Sequence, residues 1–181
     1  LDKVMPDGSK ALSYEVDALN AFDLFIAKRE DARSNLTKDE INNAESYFNS
    51  LDIKGIELLT KSIIAGLPGS EEGYSISSFL KKISYYKNKN KKELRDNLIS
   101  FLSSIIPIAE KLKSFLCIHP DDPPYNIFGI PRIVSTIDDL NTIFNAVQSR
   151  NNGLTFCTGS FGVREDNDLL FMFNKFSNRV H

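Results

Sequence analysis

With 181 residues, 41% of them hydrophobic and 25% charged, the chain is long enough for a real core and too apolar for a disordered polypeptide. Its 22 basic and 24 acidic side chains leave a net charge of -2, so no excess of charge argues for nucleic acid or an anionic membrane as partner. No apolar run approaches the ~20 residues of a membrane helix, and Asp2, Lys3, Asp7 and Lys10 leave no apolar stretch for a secretory signal. The first residue is Leu1 rather than a methionine, which is read as a trimmed or partial sequence. The two cysteines, Cys117 and Cys157, are too few for a disulfide framework in a domain of this size. Free thiols point to a reducing compartment, the cytoplasm.

Leu1–Met5 and Lys10–Tyr14 flank Pro6-Asp7-Gly8-Ser9, and Pro-Asp-Gly is a turn sequence, so the chain should open with a hairpin. A helix is expected from about 15 to 28. Thr37 and Glu40 form a capping-box pair ahead of the stripe Ile41, Ala44, Phe48 and Leu51. Asp52 can cap the next helix, which Gly66, Pro68 and Gly69 should end. Ile76, Phe79, Leu80, Ile83 and Tyr86 mark a further stripe after Gly73. Residues 81–92 interleave lysine, asparagine and tyrosine; they read either as a solvated helix end and turn, which is favoured, or as a groove for a nucleic-acid strand. A long helix should span 91–113, with Leu94, Leu98, Phe101, Leu102, Ile105, Ala109 and Leu112 as its apolar face and a kink at Pro107.

The pattern changes at Phe115. Phe115-Leu116-Cys117-Ile118 is a short apolar run suited to a buried strand, and a proline-rich loop follows to Pro131. Thr136 and Asp139 should start a helix bearing Ile137, Leu140, Phe144 and Val147, which Asn151-Asn152-Gly153 stops. A second strand is expected at Leu154-Thr155-Phe156-Cys157. A glycine-containing loop then leads to a helix over 166–176 with Leu169, Leu170, Phe173 and Phe176 inward, and residues 179–181 look like the opening of a third strand. Strands alternating with amphipathic helices mean parallel β/α units. The helix-rich stretch before Phe115 reads as an insertion on that scaffold, either a lid over substrate or a subunit contact.

In such architectures functional groups gather at the carboxyl ends of strands. His119 stands at the end of the first strand and Cys157 at the end of the second. Neighbouring strands are ~4.8 Å apart, so both side chains could reach one ion. Imidazole plus thiolate suits a borderline divalent metal; a hydrogen-bonded structural histidine and a core cysteine are the alternatives. Asp121 and Asp122, between prolines, could orient the imidazole, bind hydroxyls of a sugar, or form an acidic surface turn. The loop Thr158-Gly159-Ser160-Phe161-Gly162 could bring backbone N–H groups to an anion, and Arg164 could pair with a carboxylate. Arg132 is either a similar clamp or one half of a structural ion pair.

Several segments, in order along the chain, resemble mannonate dehydratases. They are Pro-Asp-Gly-Ser-Lys-Ala-Leu at 6–12, Ile-Ile-Ala-Gly-Leu-Pro-Gly-Ser-Glu-Glu-Gly-Tyr at 63–74 and His-Pro-Asp-Asp-Pro-Pro at 119–124. Phe-Gly-Ile-Pro-Arg-Ile-Val-Ser-Thr at 128–136, Asn-Gly-Leu-Thr-Phe-Cys-Thr-Gly-Ser at 152–160 and Gly-Val-Arg-Glu-Asp-Asn-Asp-Leu at 162–169 complete the set. The resemblance implies a fragment of a (β/α)8 TIM barrel of the xylose-isomerase-like type with a helical insertion. One partial domain over 1–181 is expected: hairpin and helix over 1–36, helical insertion and barrel helix over 37–114, and β/α units with the metal site over 115–181. The resemblance also implies dehydration of D-mannonate to 2-keto-3-deoxy-D-gluconate in hexuronate breakdown, with Mn2+ or Fe2+ as cofactor. His119 and Cys157 match two of the family's four metal ligands. His181 falls just short of the second ligand histidine, and no acid or base is assigned. Asp121, Asp122, Ser160 and Arg164 are the expected substrate contacts, and a homodimer is the expected assembly. Rival readings are another metal-dependent sugar isomerase or sugar-acid lyase and, from a different class, a non-catalytic helical binding module.

Overall fold

Turn chemistry at Pro6-Asp7-Gly8-Ser9 closes the expected hairpin. β1 (Asp2–Val4) pairs antiparallel with β2 (Lys10–Leu12). Gly8 sits at φ 83°, which a side chain would resist, and the Asp7 carboxylate accepts from both the backbone N–H and the hydroxyl of Ser9. The structure is a computed structural model that describes residues 2–65 and 75–181. The helix stop expected at Gly66, Pro68 and Gly69 lies outside the described residues, as does Gly73. By backbone contacts the chain divides into two units, Leu1–Lys87 and Asn88–His181.

The first unit is helical after the hairpin. α1 (Val16–Ala21) does not run on as an α-helix to residue 28; it passes into a π-helical turn over Phe22–Ile26, where Ala27 N–H bonds to the Phe22 carbonyl five residues back. Such a turn changes the helical phase, and it leaves Phe22 and Leu24 both buried. α2 (Lys38–Asn49) starts with the Thr37–Glu40 capping box in place. α3 (Ile53–Ala65) starts where Asp52 accepts from Gly55 N–H at 2.7 Å. α4 (Ile76–Ser84) is capped by Ser75. Ala21, Leu24, Ala32 and Ala44 form the centre of a small core, with Phe25 stacked on Phe48. Lys87 is ion-paired with Glu30 and Asp31.

The second unit carries the parallel strands. α5 (Lys91–Lys111) begins at an Asn90–Glu93 capping box and continues through Pro107. Its buried stripe is Leu102, Ile106 and Ala109, while Phe101 and Leu112, expected inward, are exposed. β3 (Leu116–Ile118) pairs parallel with β4 (Asn152–Leu154), Cys117 opposite Gly153. α6 (Ile137–Ala146) connects them, started by the Thr136–Asp139 capping box. α7 (Thr158–Phe161) is one turn inside the expected loop, and α8 (Leu169–Phe176) is capped by Asp168. Val180 bridges Leu154 in parallel, the start of a third strand position. Leu102, Ile106, Leu140, Leu154, Phe161 and Met172 are among the side chains that fill the core.

Two expectations shift. β4 lies over Asn152–Leu154, not Leu154–Cys157, so Asn152 and Gly153 do not end α6 but sit in the sheet. Thr155 N–H still bonds to the Ile118 carbonyl, and the chain then leaves the ladder. In α8 the inward residues are Met172 and Phe176; Leu170 and Phe173 face outward. An all-apolar Leu-Leu-Phe-Met-Phe run has no polar residue to mark its face.

Asp139 anchors α6 to α5. Its carboxylate is almost wholly buried, pairs with Arg95 and with Lys91 at 2.8 Å, and accepts from the backbone N–H groups of Ser135 and Thr136. Removing a buried charge strands its partners. Asp139→Ala is therefore expected to cost ~3 kcal/mol in denaturant unfolding, and Asp139→Asn less; a loss under ~1 kcal/mol for the alanine variant would contradict this. Gly153 is a close-approach position. A Cβ there would lie 2.8 Å from the His181 ring, 3.1 Å from the Arg179 carbonyl and 3.1 Å from the Cys117 sulfur. Gly153→Ala should lower the thermal midpoint, by the ~1–3 kcal/mol typical of overpacking; an unchanged midpoint would mean the strands separate freely.

Candidate metal centre

Parallel pairing makes both strands exit on the same edge of the sheet. His119 follows β3 directly, and Cys157 comes three residues after β4. The structure brings the two near each other: the imidazole and the thiol are neighbours, each shifting the other's protonation. The loop between His119 and Ser135 is folded back by Asp121. That carboxylate accepts from Ile133 N–H at 2.9 Å, Val134 N–H at 2.7 Å and the Ser135 hydroxyl at 2.9 Å.

His119 Nδ1 lies 2.8 Å from the Pro120 carbonyl. A carbonyl only accepts, so Nδ1 carries the proton and Nε2 is the nitrogen left with a free lone pair. The Pro120 carbonyl raises the imidazole pKa above its ordinary value, assisted by the Cys157 thiolate and the Asp122 charge. Cys157 is the N-cap of α7, with its sulfur near the backbone N–H groups of Gly159 and Ser160 but with no cap hydrogen bond formed. Its pKa is lowered to about 7. The Ser160 hydroxyl, which donates at 3.3 Å, contributes most, followed by the Ser160 backbone N–H, His119 and the Gly159 backbone N–H.

Other expected site residues are placed differently. Ser160, expected to meet substrate, is buried to 1% exposure, and its hydroxyl goes to Cys157. Asp121 is engaged inside its own loop, whereas Asp122 is exposed beside His119. Arg164 forks onto Asp166, with Nε at 2.9 Å and Nη2 at 2.6 Å, and its Nη1 donates to the Pro124 carbonyl at 3.2 Å. Among the described residues Arg132 is in no ion pair; its Nε donates to the Tyr125 carbonyl. Sequence reasoning missed Tyr125 and Asn167. A tyrosine after two prolines and an asparagine in a loop carry no signal without the partner loop.

The donor set fits a borderline divalent ion: one imidazole with Nε2 free and its other nitrogen fixed by a carbonyl, and one sulfur held near its thiolate form. Among the described residues no group of three or more His, Cys, Asp or Glu side chains comes together. His119 and Cys157 are the donors these residues could offer to such an ion. No helix of the described residues is long and apolar enough to cross a membrane.

A mixed α/β unit with donor side chains gathered beyond the carboxyl ends of parallel strands is the arrangement of a β/α enzyme scaffold. All of residues 1–181 match the family described as D-mannonate dehydratase (UxuA), and the chain belongs to that family. It is 44% identical over 180 residues to a mannonate dehydratase of Marinomonas sp. and 41% identical over 177 residues to one of Saccharophagus degradans. These matches take in 99% and 98% of this chain but 46% and 45% of the relatives, so the chain spans about half their length. It is also similar to the crystal structure of mannonate dehydratase from Streptococcus suis serotype 2. That match has a TM-score of 0.54 and 37% identity, and it covers 67% of this chain and 34% of the other.

The lowered thiol predicts a reactive Cys157. In chelator-treated protein, its alkylation by iodoacetamide, followed by peptide mass spectrometry, should rise with pH about a midpoint of about 7. Ser160→Ala removes the largest stabiliser of the thiolate, so the midpoint should move up. A profile unchanged by that substitution would show that the Ser160 hydroxyl does not act on the sulfur.

Proposed function

We propose that the protein carrying this chain is a mannonate dehydratase, converting D-mannonate to 2-keto-3-deoxy-D-gluconate in hexuronate breakdown, with Mn2+ or Fe2+ held in part by His119 and Cys157. The observation that carries the reading is the meeting of this imidazole and this thiol at one edge of a parallel sheet, in a chain of the D-mannonate dehydratase family. The β/α unit is read as part of a (β/α)8 barrel of the xylose-isomerase-like type. The parallel β3–β4 pair, the Val180 bridge and the likeness to the Streptococcus suis enzyme support that. The free thiols of Cys117 and Cys157 support a cytoplasmic setting.

Dehydration of a 2,3-dihydroxy acid removes the C2 proton and the C3 hydroxyl as water, and the resulting enol becomes the 2-keto acid. Negative charge builds on the carboxylate as C2 is deprotonated. A divalent ion, when bound, supplies Lewis-acid stabilisation of that charge. The residues of this chain do the holding. His119 presents Nε2 because Pro120 fixes the other nitrogen. Cys157 presents sulfur near its thiolate form because the Ser160 hydroxyl donates to it. Asp122, exposed beside His119, is the carboxylate available to a substrate hydroxyl.

The test is an assay with D-mannonate and added Mn2+, with product analysis for the 2-keto-3-deoxy acid, alongside Cys157→Ala. Loss of a direct ligand should exceed the ~10–100-fold cost typical of an outer-shell change. Protein that binds Mn2+ yet leaves D-mannonate unchanged would contradict the substrate. Full activity of Cys157→Ala would contradict the ligand.

A further inference from the structure

The strands tie the two site-bearing loops together only at their bases, where Thr155 N–H bonds to the Ile118 carbonyl. Farther out, the separation of His119 and Cys157 depends on what links the loop over 119–135 to the loop over 155–168. Three cross-links do so. Tyr125 Oη donates to the Val163 carbonyl at 2.9 Å. Arg164 Nη1 donates to the Pro124 carbonyl at 3.2 Å, with its guanidinium 5.6 Å above the Tyr125 ring. Asn167 Nδ2 donates to the Ser135 carbonyl at 3.0 Å. Arg164 is itself aimed by its fork onto Asp166. All three of its guanidinium nitrogens have protein partners, which is the geometry of a brace, not of an open carboxylate clamp.

We propose that Arg164 and Tyr125 form a latch between the two loops, and that this latch sets the His119–Cys157 separation and so the affinity of the site for its divalent ion. Both act as positioning residues, through the loops and without touching the ion. The inference rests on His119 and Cys157 being ligands of one ion. The latch is two-sided. Tyr125 reaches from the histidine loop to a carbonyl of the cysteine loop, and Arg164 reaches back from the cysteine loop to a carbonyl beside Tyr125. Each therefore holds the other's anchor in place, and removing either should release most of what both provide.

Cobalt(II) reports on such a site, because a thiolate bound to it gives a charge-transfer absorption band. Chelator-treated protein would be titrated with Co2+ as wild type, Tyr125→Phe, Arg164→Lys and the double variant. Melting of each metal-free protein would run in parallel. Tyr125→Phe keeps the ring and loses only the hydroxyl; Arg164→Lys keeps the charge and loses the fork. The expected result is a thiolate band in wild type. The Co2+ dissociation constant should then rise ~10-fold in each single variant at little-changed melting temperature, with a shifted band. The double variant should be little worse than either single one. Dissociation constants within about twofold of wild type in both single variants, with the wild-type band intact, would overturn the latch. Absence of the band in wild type itself would overturn the shared-ion reading and the latch with it. Should Arg164→Lys fail to fold, the milder Tyr125→Phe decides alone.

Discussion

Parallel pairing of β3 with β4, Cys117 opposite Gly153, is the constraint from which the rest of the second unit follows. Antiparallel strands would send their exits to opposite edges; parallel strands send both to the same one. The register then matters residue by residue. His119 leaves directly after Ile118, whereas Cys157 leaves after a short extended stretch that ends as the N-cap of α7. Gly153 permits this pairing and the approach of Val180 at once, since any Cβ at that position would meet Cys117 and His181 together. The thiol and the imidazole are neighbours because of the ladder, and they have useful protonation states because of what the loops place around them.

Charge in this unit is used at two depths with different consequences. Asp139 is buried, and its partners Arg95 and Lys91 lie on α5, so this network fixes one helix against another and, through Ser135 N–H, holds the end of the loop that follows His119. Arg164 and Asp166 lie nearer the surface, where an isolated ion pair contributes little stability. Their geometry matters more than their energy, because the fork aims a guanidinium at the opposite loop. Asp121 works between these extremes. It spends its carboxylate on three donors of its own loop and thereby shapes the chain that follows His119.

How much of this was legible in the sequence depends on whether the signal was local. Helix starts were readable because a capping box is contained in four residues: Thr37 with Glu40, and Thr136 with Asp139, are found as read. The hairpin turn at Pro6-Asp7-Gly8-Ser9 was readable for the same reason. His119 was readable as a strand-end residue, whereas Cys157, expected to end the second strand, lies three residues beyond β4. Strand register was not readable, because Asn152 and Gly153 look like a helix stop until β3 lies alongside them. The π-helical turn at Phe22–Ile26 and the inward face of α8 depend on tertiary packing that uniform apolar runs do not encode. Ser160 and Arg164 were expected to contact substrate, but their partners here lie on the protein itself, and only the folded loops reveal that.

The proposed function rests on one divalent ion held between His119 and Cys157. Anomalous diffraction from crystals of the protein soaked in Mn2+ tests it most directly. A manganese peak within bonding distance of both His119 Nε2 and Cys157 Sγ is the expected result. A peak elsewhere, or one that touches neither atom, would contradict it.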